Sequence, residues 1–146
     1  MLDTLFSAGG TLAMLGWALL VLAPRRPPVL IATGLVIPAL LAVPYAGLIM
    51  TNFADAAGQG GGYGSLTEVR ALLASDEMLL AGWIHYLSFD LAVGTLLAVR
   101  LDAAGIGRVI QAPFLLAVFL FGPAGFLAGL ITEGATRHLS RRKADA

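Results

Sequence analysis

The chain contains no cysteine, so it offers no disulfide framework, thiolate metal site, iron–sulfur cluster or cysteine nucleophile. Histidine is scarce too, with His85 and His138 the only two. A membrane di-iron hydroxylase or desaturase needs more histidine ligands than that, and twofold histidine ligation of a haem would have to recruit His138 from the C-terminal tail. The single lysine, Lys143, also sits in the tail, which excludes a retinal Schiff base inside a bundle. No G-x-S-x-G motif occurs, so the nucleophile elbow of serine hydrolases is missing. Charge is thin and balanced. Charged residues make up 12% of the chain, nine basic against nine acidic, leaving no basic face for nucleic acid and no acidic tail. These absences lead us to expect no metal and no cofactor.

What the chain does have is apolar length. Of its 146 residues 58% are apolar, far above a soluble average. Four stretches pass the length test for a membrane span, at about 5–23, 29–50, 78–99 and 113–132. The expected fold is an all-α membrane protein, a single domain over 1–146, with four transmembrane helices and a short interfacial helix between the second and third. The first run is too long for the core of a cleavable signal and lacks a basic start, so we expect it to be retained. No organelle leader precedes it, which suits a multi-pass protein of a bacterial inner membrane.

Between the first two spans, Pro24-Arg25-Arg26-Pro27-Pro28 reads as a stiff interfacial turn joining antiparallel neighbours. Pro38 and Pro44 are expected to kink the second span and to open space beside Tyr45, or merely to distort packing. The segment 56–64 is glycine-rich without phosphate-loop spacing and reads as a linker. Ser65-Leu66-Thr67-Glu68 is a capping box, opening a helix at about 65–74 with Leu66, Val69, Leu72 and Leu73 on one side. That helix is either a lid over the bundle or a plain surface element. Phe121-Gly122-Pro123-Ala124-Gly125 predicts a kink in the fourth span, and Gly129 adds to a small-residue face where another helix can approach. Packing within the monomer is preferred there over a homo-oligomer seam. The tail, 137–146, reads as a basic membrane-surface anchor. With four spans, Arg25, Arg26, Arg100 and Arg108 fall on one side and Arg70 with the tail cations on the other, a near-tie that leaves orientation to the first helix.

The third span concentrates the polar chemistry. An Asp at bilayer depth costs roughly 2.5–3.5 kcal/mol on insertion scales, so His85, Tyr86, Ser88 and Asp90 persist in an apolar helix only if they face protein partners or a wet cavity. At roughly 100° per residue, Trp83, Tyr86 and Asp90 share one face. His85, with Phe89 above it and Ser88 beside it, points to a neighbouring sector. The ionisable groups therefore mark either a binding site or structural contacts that fix bundle register.

Trp83-Ile84-His85 followed by Asp90-Leu91, with Asp76, Leu22-Ala23-Pro24-Arg25 and Phe121-Gly122-Pro123-Ala124-Gly125 in order, resembles the abscisic-acid-deficient-four-like family, whose plant members are called neoxanthin synthase. The resemblance covers nearly the whole chain. It implies a small integral membrane protein of carotenoid metabolism, associated in plants with converting violaxanthin to neoxanthin. Isomerising an epoxycarotenoid to an allene needs an acid for the epoxide oxygen and a base for a polyene proton, with no redox cofactor. The acid/base candidates are His85, Asp90, Tyr86 and Glu68, with Asp90 as a neutral donor and His85 as base. Trp83, Phe89, Ser88 and Tyr45 are the candidate substrate contacts. A carotenoid- or lipid-binding protein without turnover, and a structural subunit of a membrane complex, are the competing expectations.

Overall fold

A computed structural model describes residues 1–144, with side chains through Arg142; Lys143 and the rest of the expected tail anchor lie outside the described side chains. In chain order the helices are α1 (Leu2–Leu22), α2 (Pro27–Ile31), a π-helical turn (Ala32–Val36), α3 (Ile37–Gly58), α4 (Leu66–Leu72), α5 (Asp76–Ala103), α6 (Arg108–Phe121) and α7 (Pro123–Ala144). No strand occurs among the described residues. Three helical stretches are long and apolar enough to cross a membrane: Leu2–Leu22, Pro27–Gly58 and Asp76–Ala103.

Local chemistry explains most boundaries. Pro27 and Pro28 open α2, where a missing N–H costs nothing. The π turn ends at Val36, two residues before Pro38. Proline has no N–H for the carbonyl four residues back and collides with it, and a widened turn relieves both problems. Pro44 is accommodated inside α3. Ser65 caps α4 by accepting from the Glu68 N–H at 3.2 Å. α5 carries Asp76 and Glu77 in its first turn and Arg100 in its last, each sign at the end where the helix dipole favours it.

The chain forms two compact units, and α1 and α5 each contribute residues to both. The first comprises Met1–Leu15 and Val36–Phe89. In it α4 is pinned by Leu72, which is buried with Ala56 and Met78 and flanked by Ile49 and Phe53. Gly61 makes this possible, since a Cβ there would come within 2.8 Å of the Leu72 Cα and 2.7 Å of the Ala56 carbonyl oxygen. Ile84 and Ala81 of α5 are fully buried, as is Leu41 of α3.

The second unit, Gly16–Leu35 with Asp90 to the C-terminus, departs from a simple fourth span. The expected stretch 113–132 is divided at Gly122 between α6 and α7. Gly122 has φ +40°, and Pro123 cannot continue the helical bonding, so the chain reverses there. Gly125 then packs directly on the backbone of Ala117 and Val118, where no Cβ fits. Contacts fix the direction of each helix: Gln111 of α6 bonds Asp102, while Gly122, Gly129 and Glu133 in turn meet Asp90, Leu97 and Arg100. α6 thus runs back along α5, and α7 runs forward beside it. Counting four spans put the tail and Arg100 on opposite sides; the bridges from Glu133 to Arg100 (2.7 Å) and Arg137 (2.9 Å) put them at the same end.

Candidate functional site in the first unit

Two aromatic ladders climb α5. On one face Phe6 of α1 stacks on Trp83 with centroids 5.9 Å apart, and Trp83 stacks on Tyr86 at 5.5 Å. On the next face Tyr45 of α3 approaches His85 at 5.6 Å, and His85 stacks on Phe89 at 4.6 Å. The i to i+3 and i to i+4 spacings of Trp83–Tyr86 and His85–Phe89 are those at which helical side chains meet. His85 and Phe89 are exposed at the surface of the chain, and Trp83 is 41% exposed. Such rings on a water-soluble surface would be costly. On a lipid-facing or ligand-facing surface they are at home.

Three grooves lie between and beside these ladders. The largest, about 440 Å³, runs between Phe6, Leu79, Leu80 and Trp83, with Asp3 and Asp76 at its polar side. A second, about 310 Å³, is lined by Leu73, Leu79, Gly82, Trp83 and Tyr86. The third, about 210 Å³, holds His85 and Tyr45 together with Tyr63, Ile49, Val69, Leu72, Leu73, Met78 and Gly82. Neighbours share walls: Leu79 and Trp83 belong to the first and second, Leu73 and Gly82 to the second and third. The result is a run of apolar surface wrapping the start of α5, with an imidazole and two phenols at one end. Its shape suits an extended oily molecule better than a compact polar one.

The expected site residues separate accordingly. His85, Tyr45, Tyr86 and Trp83 line these grooves, and Phe89 stacks on the imidazole. Ser88 is 5% exposed and donates its hydroxyl to the Pro38 carbonyl at 3.0 Å, a bond that ties α5 to α3. Glu68 accepts from the Gly64 N–H at 2.9 Å, with Gly62 and Gly64 pressed against its carboxylate. That carboxylate holds the glycine-rich loop, completing the cap that Ser65 begins. Asp90 belongs to the second unit, where its carboxylate lies against Gly122. Neither Glu68 nor Asp90 lines any of the three grooves.

Two contributors escaped the sequence reading. Tyr63 stacks on Phe53 at 6.2 Å and closes the His85 groove; its only signal was a lone aromatic inside a glycine-rich linker. Phe6 forms the base of the Trp83 ladder, and nothing in a single apolar helix reveals its register against another. No group of three or more metal-ligating residues occurs among the described residues.

Against known proteins, the model of one family, described as ABA DEFICIENT 4-like, matches residues 4–128. No curated protein and no solved structure matches the chain.

Proposed function

Because the chain belongs to the ABA DEFICIENT 4-like family, which connects it with the carotenoid and abscisic-acid pathway, we propose that it is a bacterial inner-membrane protein that binds a carotenoid along the α5 grooves and isomerises it by proton transfer at His85. The observation that carries this reading is the exposed imidazole at the end of a continuous apolar run, faced by Tyr45 and supported by Phe89. For an epoxycarotenoid the balance is simple. His85 takes a proton from a polyene carbon as the epoxide carbon–oxygen bond opens, a donor delivers a proton to the oxygen, and an allene and a hydroxyl result with no change in oxidation state. The Tyr45 and Tyr63 hydroxyls in the same groove are the donors at hand.

A second reading, binding without turnover, draws support from the engagement of Glu68 in the loop cap. That leaves His85 as the one imidazole or carboxylate lining its groove. Incubating purified protein with an epoxycarotenoid and separating the products by chromatography distinguishes the two. On the first reading the wild type yields an isomer and His85→Ala lowers the rate by about 10²-fold or more, the usual contribution of a proton-transfer group. Retention of pigment with no product supports the second reading, and conversion that survives His85→Ala overturns the first.

A further inference from the structure

Four arginines of the second unit fall into two kinds. Arg25 and Arg108 are consumed by the fold. Arg25 donates to the Leu20 and Ala98 carbonyls, to Asp102 at 2.8 Å and to Gln111, and its side chain is 6% exposed. Arg108 donates to the Leu20, Val21 and Ala23 carbonyls, capping the end of α1. Arg100 and Arg137 are different. Each uses its Nε on one oxygen of Glu133, at 2.7 and 2.9 Å, while its side chain remains about half exposed, 48% and 49%. Their remaining guanidinium N–H groups have no acceptor among the described residues.

These two guanidiniums border a groove of about 510 Å³ whose other walls include Val99 and Leu130. A second hollow of about 260 Å³, sharing Ala103 and Arg137 with the first, adds Ser140 and Arg141. The two hollows together carry three guanidiniums and the one carboxylate of Glu133, which only Arg100 and Arg137 bridge, so two positive charges are left uncompensated beside an apolar wall. Arg100 sits in the last turn of a helix long and apolar enough to cross a membrane, and the end of a spanning helix is where lipid headgroups are met.

We propose that Arg100, Arg137 and Arg141 bind the phosphate of an anionic phospholipid, with Glu133 positioning the first two and an acyl chain lying along Val99 and Leu130. Planar guanidiniums with free N–H edges match phosphate oxygens, and basic pockets between helices at a membrane boundary are established lipid sites. The apolar wall is what selects a lipid over free phosphate. The inference rests on the chain being a membrane protein but not on the carotenoid reading, because this groove belongs to the second unit and the His85 groove to the first. Carbonate extraction of membranes reads the membrane premise separately.

The test is native mass spectrometry of the full chain in non-ionic detergent, offered dioleoyl phosphatidylglycerol or dioleoyl phosphatidylcholine at equal concentration. The wild type should retain the anionic phosphatidylglycerol preferentially. Arg141→Gln, which breaks no bridge to Glu133, should weaken retention about fivefold, and Arg100→Gln with Arg137→Gln about 25-fold. Arg26→Gln, an exposed arginine outside the groove, should change nothing. Equal retention of the two lipids, or Arg141→Gln and the double variant both behaving as wild type, would overturn the proposal. Displacement of the lipid by millimolar inorganic phosphate would reassign the site to a free anion and overturn the lipid assignment.

Discussion

The ring of His85 on α5 lies 5.6 Å from the ring of Tyr45 on α3, inclined at 48°, inside one apolar groove. Two helices far apart in sequence thus deliver an imidazole and a phenol ring to the same groove. Truncating either ring tests whether the placement is functional. We expect Tyr45→Phe to keep pigment binding within about twofold, because the aromatic contact persists, and Tyr45→Ala to weaken it by about three- to tenfold, the worth of an aromatic pair. Absorbance of pigment retained by purified variants measures both.

Glu68 gives the opposite expectation. Its carboxylate accepts from Gly64, so Glu68→Gln should leave conversion of an epoxycarotenoid unchanged while lowering thermal stability modestly. Ser65→Ala, which removes the other half of the cap, should cost about 1 kcal/mol. Thermal unfolding in detergent together with the chromatographic assay separates stability from chemistry. A large loss of rate at unchanged stability in Glu68→Gln would return this residue to the acid/base set.

How much was legible beforehand depends on the range of the interaction. The sorting of α5 into a Trp83–Tyr86 face and a His85–Phe89 face follows from helical spacing alone, and both stacks are present. The cap formed by Ser65 and Glu68 is equally local. The reversal at Gly122 was legible only as a kink, because a continuous apolar run does not say whether a glycine–proline step bends a helix or folds it back. The pairing of Arg25 with Asp102 joins residues 77 apart, and Arg100 with Glu133 joins residues 33 apart. No periodic pattern links such positions, so Arg25 and Arg100 read only as cations on one side of the spans.

The bridge at Glu133 makes a pH-dependent prediction. Burial pushes this carboxyl up, but hydrogen bonds and charge from Arg100 and Arg137 outweigh it and hold the group below its ordinary 4.5. A lowered pKa means the folded state binds the proton less readily than the unfolded chain. The bridge's contribution is therefore fully present above about pH 4.5 and is lost as pH falls through the lower folded value. Thermal unfolding of the wild type and Glu133→Gln should differ at pH 7 and converge at strongly acid pH. A difference that persists unchanged below pH 3 would contradict the assignment.

Close helix approach in the second unit is tested at Gly94. A Cβ there runs into the Trp17 indole, which is 6% exposed and itself packed edge-on against Phe119 at 5.6 Å. Gly94→Ala should destabilise by about 1–3 kcal/mol through overpacking. Gly10→Ala in α1, where a Cβ meets nothing within 4 Å, should instead be neutral or stabilising by up to about 1 kcal/mol from helix propensity. Reversal of that order in thermal unfolding would argue against the α1–α5 packing at Trp17.

The central claim is that α5 presents His85 to an oily guest. It is tested most directly by expressing the chain in carotenoid-producing bacteria, purifying it in mild detergent and extracting the pigment. The wild type should carry carotenoid in near-stoichiometric amount and His85→Ala about tenfold less. A wild-type protein that purifies folded and colourless, or a His85→Ala variant that carries as much pigment, would contradict it.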